Sequence, residues 1–160
     1  MAQVESCSND DVLRQQLVAV ARRLNGSGLN QGTSGNLSVR IDGGLLVTPS
    51  SLPYEQMTTG DLVALDLSGQ PLQSGQRRPS SEWRLHADVL ASRPEAQAVL
   101  HCHPVHATAL ACHDRPIPAF HYMVAVAGGD DIRCAPYATF GTAALSAHVV
   151  RALAERQACL

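Results

Sequence analysis

The chain has 160 residues, 45% of them hydrophobic, which is enough for one ordinary core and short of two comfortable domains. A formal charge of −2 with 16% charged residues supplies no basic stripe for a phosphate backbone, so nucleic acid is not an expected partner. The polar, acidic start "MAQVESCSNDD" lacks the pattern of a secretory signal, no apolar run approaches membrane-spanning length, and the five cysteines show no C-x-x-C spacing. A single cytoplasmic domain over 1–160, with reduced thiols and no membrane partner, is the expectation.

In chain order, Asn9 or Asp10 can cap a helix whose apolar positions Leu13, Leu17, Val20 and Leu24 follow helical spacing, with Asn25-Gly26 as its stop. The Gly-rich "GLNQGTSGN" leads to "LSVRI" and "LLVT", which read as a hairpin about Asp42-Gly43-Gly44. "DLVALDL" before Ser68-Gly69 is a further strand and turn. "RPSSEWRLHADVLASR" is a loop feeding a helix that stops ahead of Pro94. The strand "AVLHCH" follows, Pro104 can open the next helix, and a Pro-punctuated segment runs through "RPIPAFHYM". A short strand near "IRCAP" and a helix from Thr142 to about Glu155 complete the chain. The sum is an α/β protein of the α+β type, a three-layer α/β/α sandwich around a mostly antiparallel sheet.

Three features carry chemistry. On a strand, His101 and His103 of "AVLHCHPVHA" project to one side and Cys102 to the other, giving half of a metal site or a pair of satisfied polar groups. His106 follows on the next helix, and His86, His113, His121 and His148 take structural roles by default. Glu82 stands beside Trp83 at a helix mouth, where desolvation can disfavour its charged form; taken alone, it reads as an acidic residue complementing a helix dipole. The polar loops "GTSGN", "TPSS" and "PSS" can gather backbone N–H groups and hydroxyls around an anion, although turns use the same residues.

Together, "GLNQGTSGNLSVR", "TPSSLPYEQM", "PSSEWRLH", "AVLHCHPVHATAL", "IPAFHYMVAVAGG" and "CAPYATFGT" resemble the class II aldolase/adducin family in order, spacing and residue type, over nearly all of the chain after Gly28. The resemblance implies an aldehyde-lyase that cleaves a ketose 1-phosphate such as L-fuculose 1-phosphate into dihydroxyacetone phosphate and an aldehyde. By that resemblance His101 and His103 ligate one Zn2+ per subunit, and Glu82 is the general acid/base. Asn36, Ser50, Ser51, Ser80 and Ser81 hold the substrate phosphate, and Tyr122 reaches an active site formed between subunits of a homotetramer. Relatives usually read T-P-T-G where this chain has Thr48-Pro49-Ser50-Ser51, so Ser51 replaces a glycine. The family's third zinc-binding histidine is expected beyond Leu160, which makes the domain C-terminally incomplete.

The sequence contains no lysine, which excludes the lysine-imine route to aldol cleavage and leaves metal or nothing as the electrophile. The resemblance leaves two other readings: a pentose-phosphate 4-epimerase of the same superfamily, and a non-catalytic binding or assembly module like the adducin head.

Overall fold

A computed structural model describes residues 9–160, so Cys7 and the polar N-terminus lie outside the described residues. Helix α1 (Asn9–Gly26) is followed by strands β1 (Asn36–Ile41), β2 (Gly44–Val47) and β3 (Val63–Asp66). Then come α2 (Trp83–Ser92), β4 (Ala98–His101), α3 (Val105–Cys112) and α4 (Ala143–Ala152). The strands form one sheet in the order β3-β2-β1-β4, with every neighbouring pair antiparallel.

Strand alternation divides the core in two. Leu37, Leu46 and Ala64 point to one face and pack with Leu17, Val18, Ala21 and Leu24 of α1. Leu45, Val47, Val63 and Leu65 point to the other and pack with Ala87 and Leu90 of α2. Fully buried leucines such as Leu45 and Leu90 each contribute about 1.5–3 kcal/mol of apolar transfer. Helix α4 packs on α2, where the Ser146 hydroxyl donates to Asp88 at 2.6 Å. The expected three-layer arrangement is present.

Several expectations change in detail. Val20 is exposed, because the apolar stripe of α1 runs through Leu17, Val18, Ala21 and Leu24 instead. Asn9 and Asp10 lie within α1 rather than at its cap, and Asp10 accepts from Arg14 one turn later at 2.8 Å. The β1–β2 turn needs only Asp42 and Gly43, with Gly43 at φ 77° and Gly44 already paired to Ile41. Near "IRCAP" there is no full strand among the described residues, only isolated bridges joining Ile117 to Ile132 and Arg133 to Cys159. Helix α4 stops at Ala152, short of Glu155, whose φ of 58° is incompatible with a continuing right-handed helix.

Candidate active site

The site grows from the way β1 faces α2. Alternation sends Leu37 and Val39 toward α1, which leaves Asn36, Ser38 and Arg40 facing α2. Arg40 satisfies the carbonyls of Leu90, Arg93 and Ala96 around the C-terminal end of α2. At the other end of the helix, Glu82 occupies the N-cap position and His86 lies one turn on.

Four buried side chains join there. The Ser38 hydroxyl lies 2.8 Å from His86 Nδ1, His86 Nε2 lies 2.5 Å from Asn36 Oδ1, and Asn36 Nδ2 donates to Glu82 Oε2 at 2.9 Å. On the far side of the same oxygen, His101 Nδ1 stands at 2.9 Å. That approach is a close contact outside hydrogen-bond geometry, and Nδ1 is buried without a hydrogen-bond partner.

Burial alone raises the proton affinity of the Glu82 carboxyl, as the sequence suggested from Trp83. The opposing effects of His101, Asn36 and the positive potential at His86 win, and they hold its pKa down at about 2. The carboxyl is therefore ionised, which corrects the expected direction. Trp83 turns away from it and packs against Gly69 and the α2-side core. His86, wholly buried, has its pKa pushed down to about 3, first by desolvation and then by His101.

The histidine pair is assembled differently from the strand reading. Strand β4 ends at His101, so Cys102 and His103 lie beyond the alternation that was to align the rings. The chain turn before α3 nonetheless brings the two imidazoles to 4.8 Å between centroids. Desolvation, followed by His101, lowers the pKa of His103, which favours a neutral imidazole with a lone pair to offer.

Glycine positions His101 from behind. Gly35 has φ 74°, and a Cβ there would come 2.7 Å from the carbonyl oxygen of His101 and 2.6 Å from the Asn30 side chain.

The polar loops meet at the same end of the sheet. Beyond β2, Pro49 bridges Pro79, Ser50 N–H donates to Arg78 O and Ser80 N–H donates to Thr48 O, each bond 3.0 Å long. This lays the Ser50-Ser51 turn beside Ser80-Ser81, immediately before Glu82. Ser50 and Ser51 hydroxyls are 3.3 Å apart, Ser51 and Ser81 are exposed, and Ser80 is buried, accepting from Glu82 N–H. Asn36 opens β1 rather than lying in the Gly-rich loop, and its side chain is engaged by His86 and Glu82 with one N–H left over. Tyr122 begins a 3-10 helix over Tyr122–Ala127, is largely exposed, and has His121 as its ring neighbour at 4.5 Å; no hydrogen bond or ring contact joins it to Glu82 or His101.

The structure therefore gathers Asn36, Ser80, Glu82, His101 and His103, sets Ser50, Ser51 and Ser81 alongside, and leaves Tyr122 apart. His86 and Ser38 are members that the sequence reading missed. The spacing of four between Glu82 and His86, on a helix that starts at the first, was the available signal.

The donor set suits a divalent metal. The His101 nitrogen buried without a hydrogen-bond partner, the neighbouring imidazole of His103 and the adjacent carboxylate of Glu82 are the kinds of group that hold one. Among the described residues no cluster of three or more His, Cys, Asp or Glu side chains is arranged as a complete site. No described helix is long and apolar enough to cross a membrane, and the four described cysteines are free.

Residues 15–160 match the class II aldolase and adducin N-terminal domain. The chain is 55% identical over 148 residues to the 5-methylthioribulose-1-phosphate/5-deoxyribulose-1-phosphate aldolase of Rhodospirillum rubrum, covering 92% of this chain and 66% of that protein. It is 50% identical over 148 residues to an L-fuculose phosphate aldolase of Escherichia coli, covering 92% and 68%. A solved L-fuculose 1-phosphate aldolase superposes with a TM-score of 0.89 at 39% identity, over 96% of this chain and 71% of that one. The chain thus spans about two thirds of the length of these relatives. Sequence match, identity and fold agree with the site's geometry: the chain belongs to the class II aldolase and adducin family.

Proposed function

We propose that the chain is the body of a cytoplasmic aldolase that cleaves a ketose 1-phosphate between C3 and C4 into dihydroxyacetone phosphate and an aldehyde. The observation that carries this reading is the buried, ionised Glu82, held between Asn36 and His101 beside paired serine loops. In cleavage the C4 hydroxyl passes its proton to the ionised Glu82 as its carbonyl forms, and the C3–C4 electron pair passes to the enediolate of dihydroxyacetone phosphate. Glu82 then delivers a proton to C3, and in the aldol direction it removes that proton.

Ser50, Ser51, Ser80, Ser81 and the spare N–H of Asn36 bind the phosphate. A held phosphate fixes the reacting carbons relative to Glu82, an effect worth up to about 7–11 kcal/mol in favourable cases. His101 and His103 hold zinc, which when bound polarises the substrate carbonyl and stabilises developing negative charge. Tyr122 serves the aldehyde oxygen in an assembly of subunits. The exposed side chains of Phe120, Tyr122, Met123, Val126, Tyr137 and Phe140 support packing of this region against further copies, a homotetramer in this reading.

Relatives of this chain are named for two kinds of sugar phosphate, so the assay offers L-fuculose 1-phosphate, 5-deoxyribulose 1-phosphate and 5-methylthioribulose 1-phosphate to the zinc-supplemented protein. Release of dihydroxyacetone phosphate from at least one is expected, with turnover about 100-fold lower or worse in Glu82→Gln. No release from any of the three, or near-normal turnover by Glu82→Gln, overturns the proposal.

A further inference from the structure

The buried chain Ser38–His86–Asn36–Glu82 admits a single ordering of its protons. Asn36 turns Nδ2 toward Glu82 Oε2, which accepts from it, and so presents Oδ1 to His86. An amide oxygen also only accepts, so the proton of the neutral His86 ring sits on Nε2. Nδ1 is then bare, and the Ser38 hydroxyl donates to it. Ser38, Asn36, Glu82 and His86 are all buried, so no water competes freely for these groups.

The chain ends on one oxygen. Oε2 of Glu82 takes both the Asn36 amide and the approach of His101, whereas among the described residues no donor is bonded to Oε1. We infer that Ser38 and His86 are positioning residues, whose ordered hydrogen bonds through Asn36 pin Oε2 of Glu82 and leave Oε1 as the oxygen that carries the substrate proton. This rests on the reading of Glu82 as the proton carrier. An unpinned carboxylate can rotate, and it would meet the carbon in a smaller fraction of encounters. Losing the pin therefore lowers turnover and leaves phosphate-driven substrate affinity largely intact.

The test has two arms. Nitrogen-15 spectra of the wild-type imidazoles should show His86 neutral with its proton on Nε2; a proton on Nδ1 overturns the inference, because Asn36 would then be flipped with its oxygen toward Glu82. In the second arm, His86→Phe keeps a ring and removes the donor, while His86→Gln can return an N–H to Asn36. We expect His86→Phe to lose about 10–100-fold in kcat with KM within about twofold. His86→Gln should recover most of that loss.

Equal kcat in the two variants, both melting cooperatively, reduces His86 to a structural filler and overturns the inference. If His86→Phe does not fold, Ser38→Ala replaces it, and unchanged kcat there is the overturning result. Wild-type protein that cleaves no ketose phosphate, yet shows the Nε2 proton and a Glu82 carboxylate carbon-13 signal displaced by His86→Phe and not by His86→Gln, retains the pin and removes only the aldolase reading. An undisplaced signal removes the pin as well.

Discussion

Asn36 and His101 are direct partners across the antiparallel ladder of β1 and β4, and both side chains approach the same oxygen of Glu82, each at 2.9 Å. The sheet register therefore sets the position of the carboxylate's two neighbours at once. A slip of one residue between the strands would break their pairing and turn one of the side chains to the opposite face. Gly35, immediately before Asn36, is what lets the backbone approach His101 so closely.

That closeness makes Gly35→Ala costly. The new Cβ would meet the His101 carbonyl at 2.7 Å, and alanine would be held at φ 74°. Destabilisation of about 1–3 kcal/mol in urea unfolding is expected. Because relief of the clash moves His101, activity should fall further than the lost folded fraction explains. A change within about 0.5 kcal/mol would contradict the close approach.

Metal content tests the histidine pair directly. Protein purified without chelator should carry zinc in elemental analysis, with most of it lost in the double variant His101→Ala, His103→Ala. A loss confined to the double variant and absent from His106→Ala would tie the ion to this pair, since His106 lies on the following helix α3. Equal zinc in all three proteins would remove the metal from these residues.

Much of this arrangement was legible in the sequence, and the misses have common causes. Apolar spacing located α1 by its buried stripe, and apolar runs between turn residues located β2 and β3, which are buried on both faces, whereas Pro104 rather than burial marked α3, none of whose residues is buried. Apolar spacing located Val20 wrongly because an apolar residue at the margin of a helical stripe reads the same as one inside it. Alternation in "NLSVRI" separates Leu37 from Ser38, yet polar residues normally mark a solvent face. Here that polar face lies beneath α2 and becomes the hydrogen-bonded heart of the site. His86 was hard to place for the same reason: a histidine flanked by Leu85 and Ala87 gives no sign that Ser38 and Asn36 wait opposite, and only its spacing of four from Glu82 points to the site. The direction of the Glu82 shift depends on neighbours 46 residues and 19 residues away in sequence, which Trp83 next door does not reveal.

Ser51 offers a stability prediction with a functional reading. It holds φ 58°, the left-handed region that glycine enters without a Cβ penalty. Ser51→Gly relieves that strain while adding freedom to the unfolded chain, and a net gain of about 0.5–1 kcal/mol is expected. If Ser51 also contributes its hydroxyl to phosphate, KM should rise in the same variant as the melting temperature does. A rise in stability with unchanged KM would limit the phosphate contact to the backbone.

His86 makes stability depend on pH, with a sign that follows from its burial. Its folded pKa, about 3, lies below the ordinary value of 6.5, because desolvation and the neighbouring His101 outweigh the attraction of Glu82. Above pH 6.5 neither state binds the proton, and the contribution is fully present. As pH falls below 6.5 the unfolded chain takes up a proton that the folded chain refuses, so stability drops by as much as about 1.4 kcal/mol per pH unit. The loss continues until the folded ring itself titrates near 3. Urea unfolding of the wild type at pH 7, 6, 5 and 4.5 (chosen as about half-unit to one-unit steps below the ordinary histidine value) should show this slope in addition to that of the other groups. His86→Gln should lack it, so that the stability difference between the two proteins shifts in favour of the variant as the solution is acidified. Parallel curves across that range would mean that His86 protonates inside the fold, and the ordered chain from Ser38 to Glu82 would have to be redrawn.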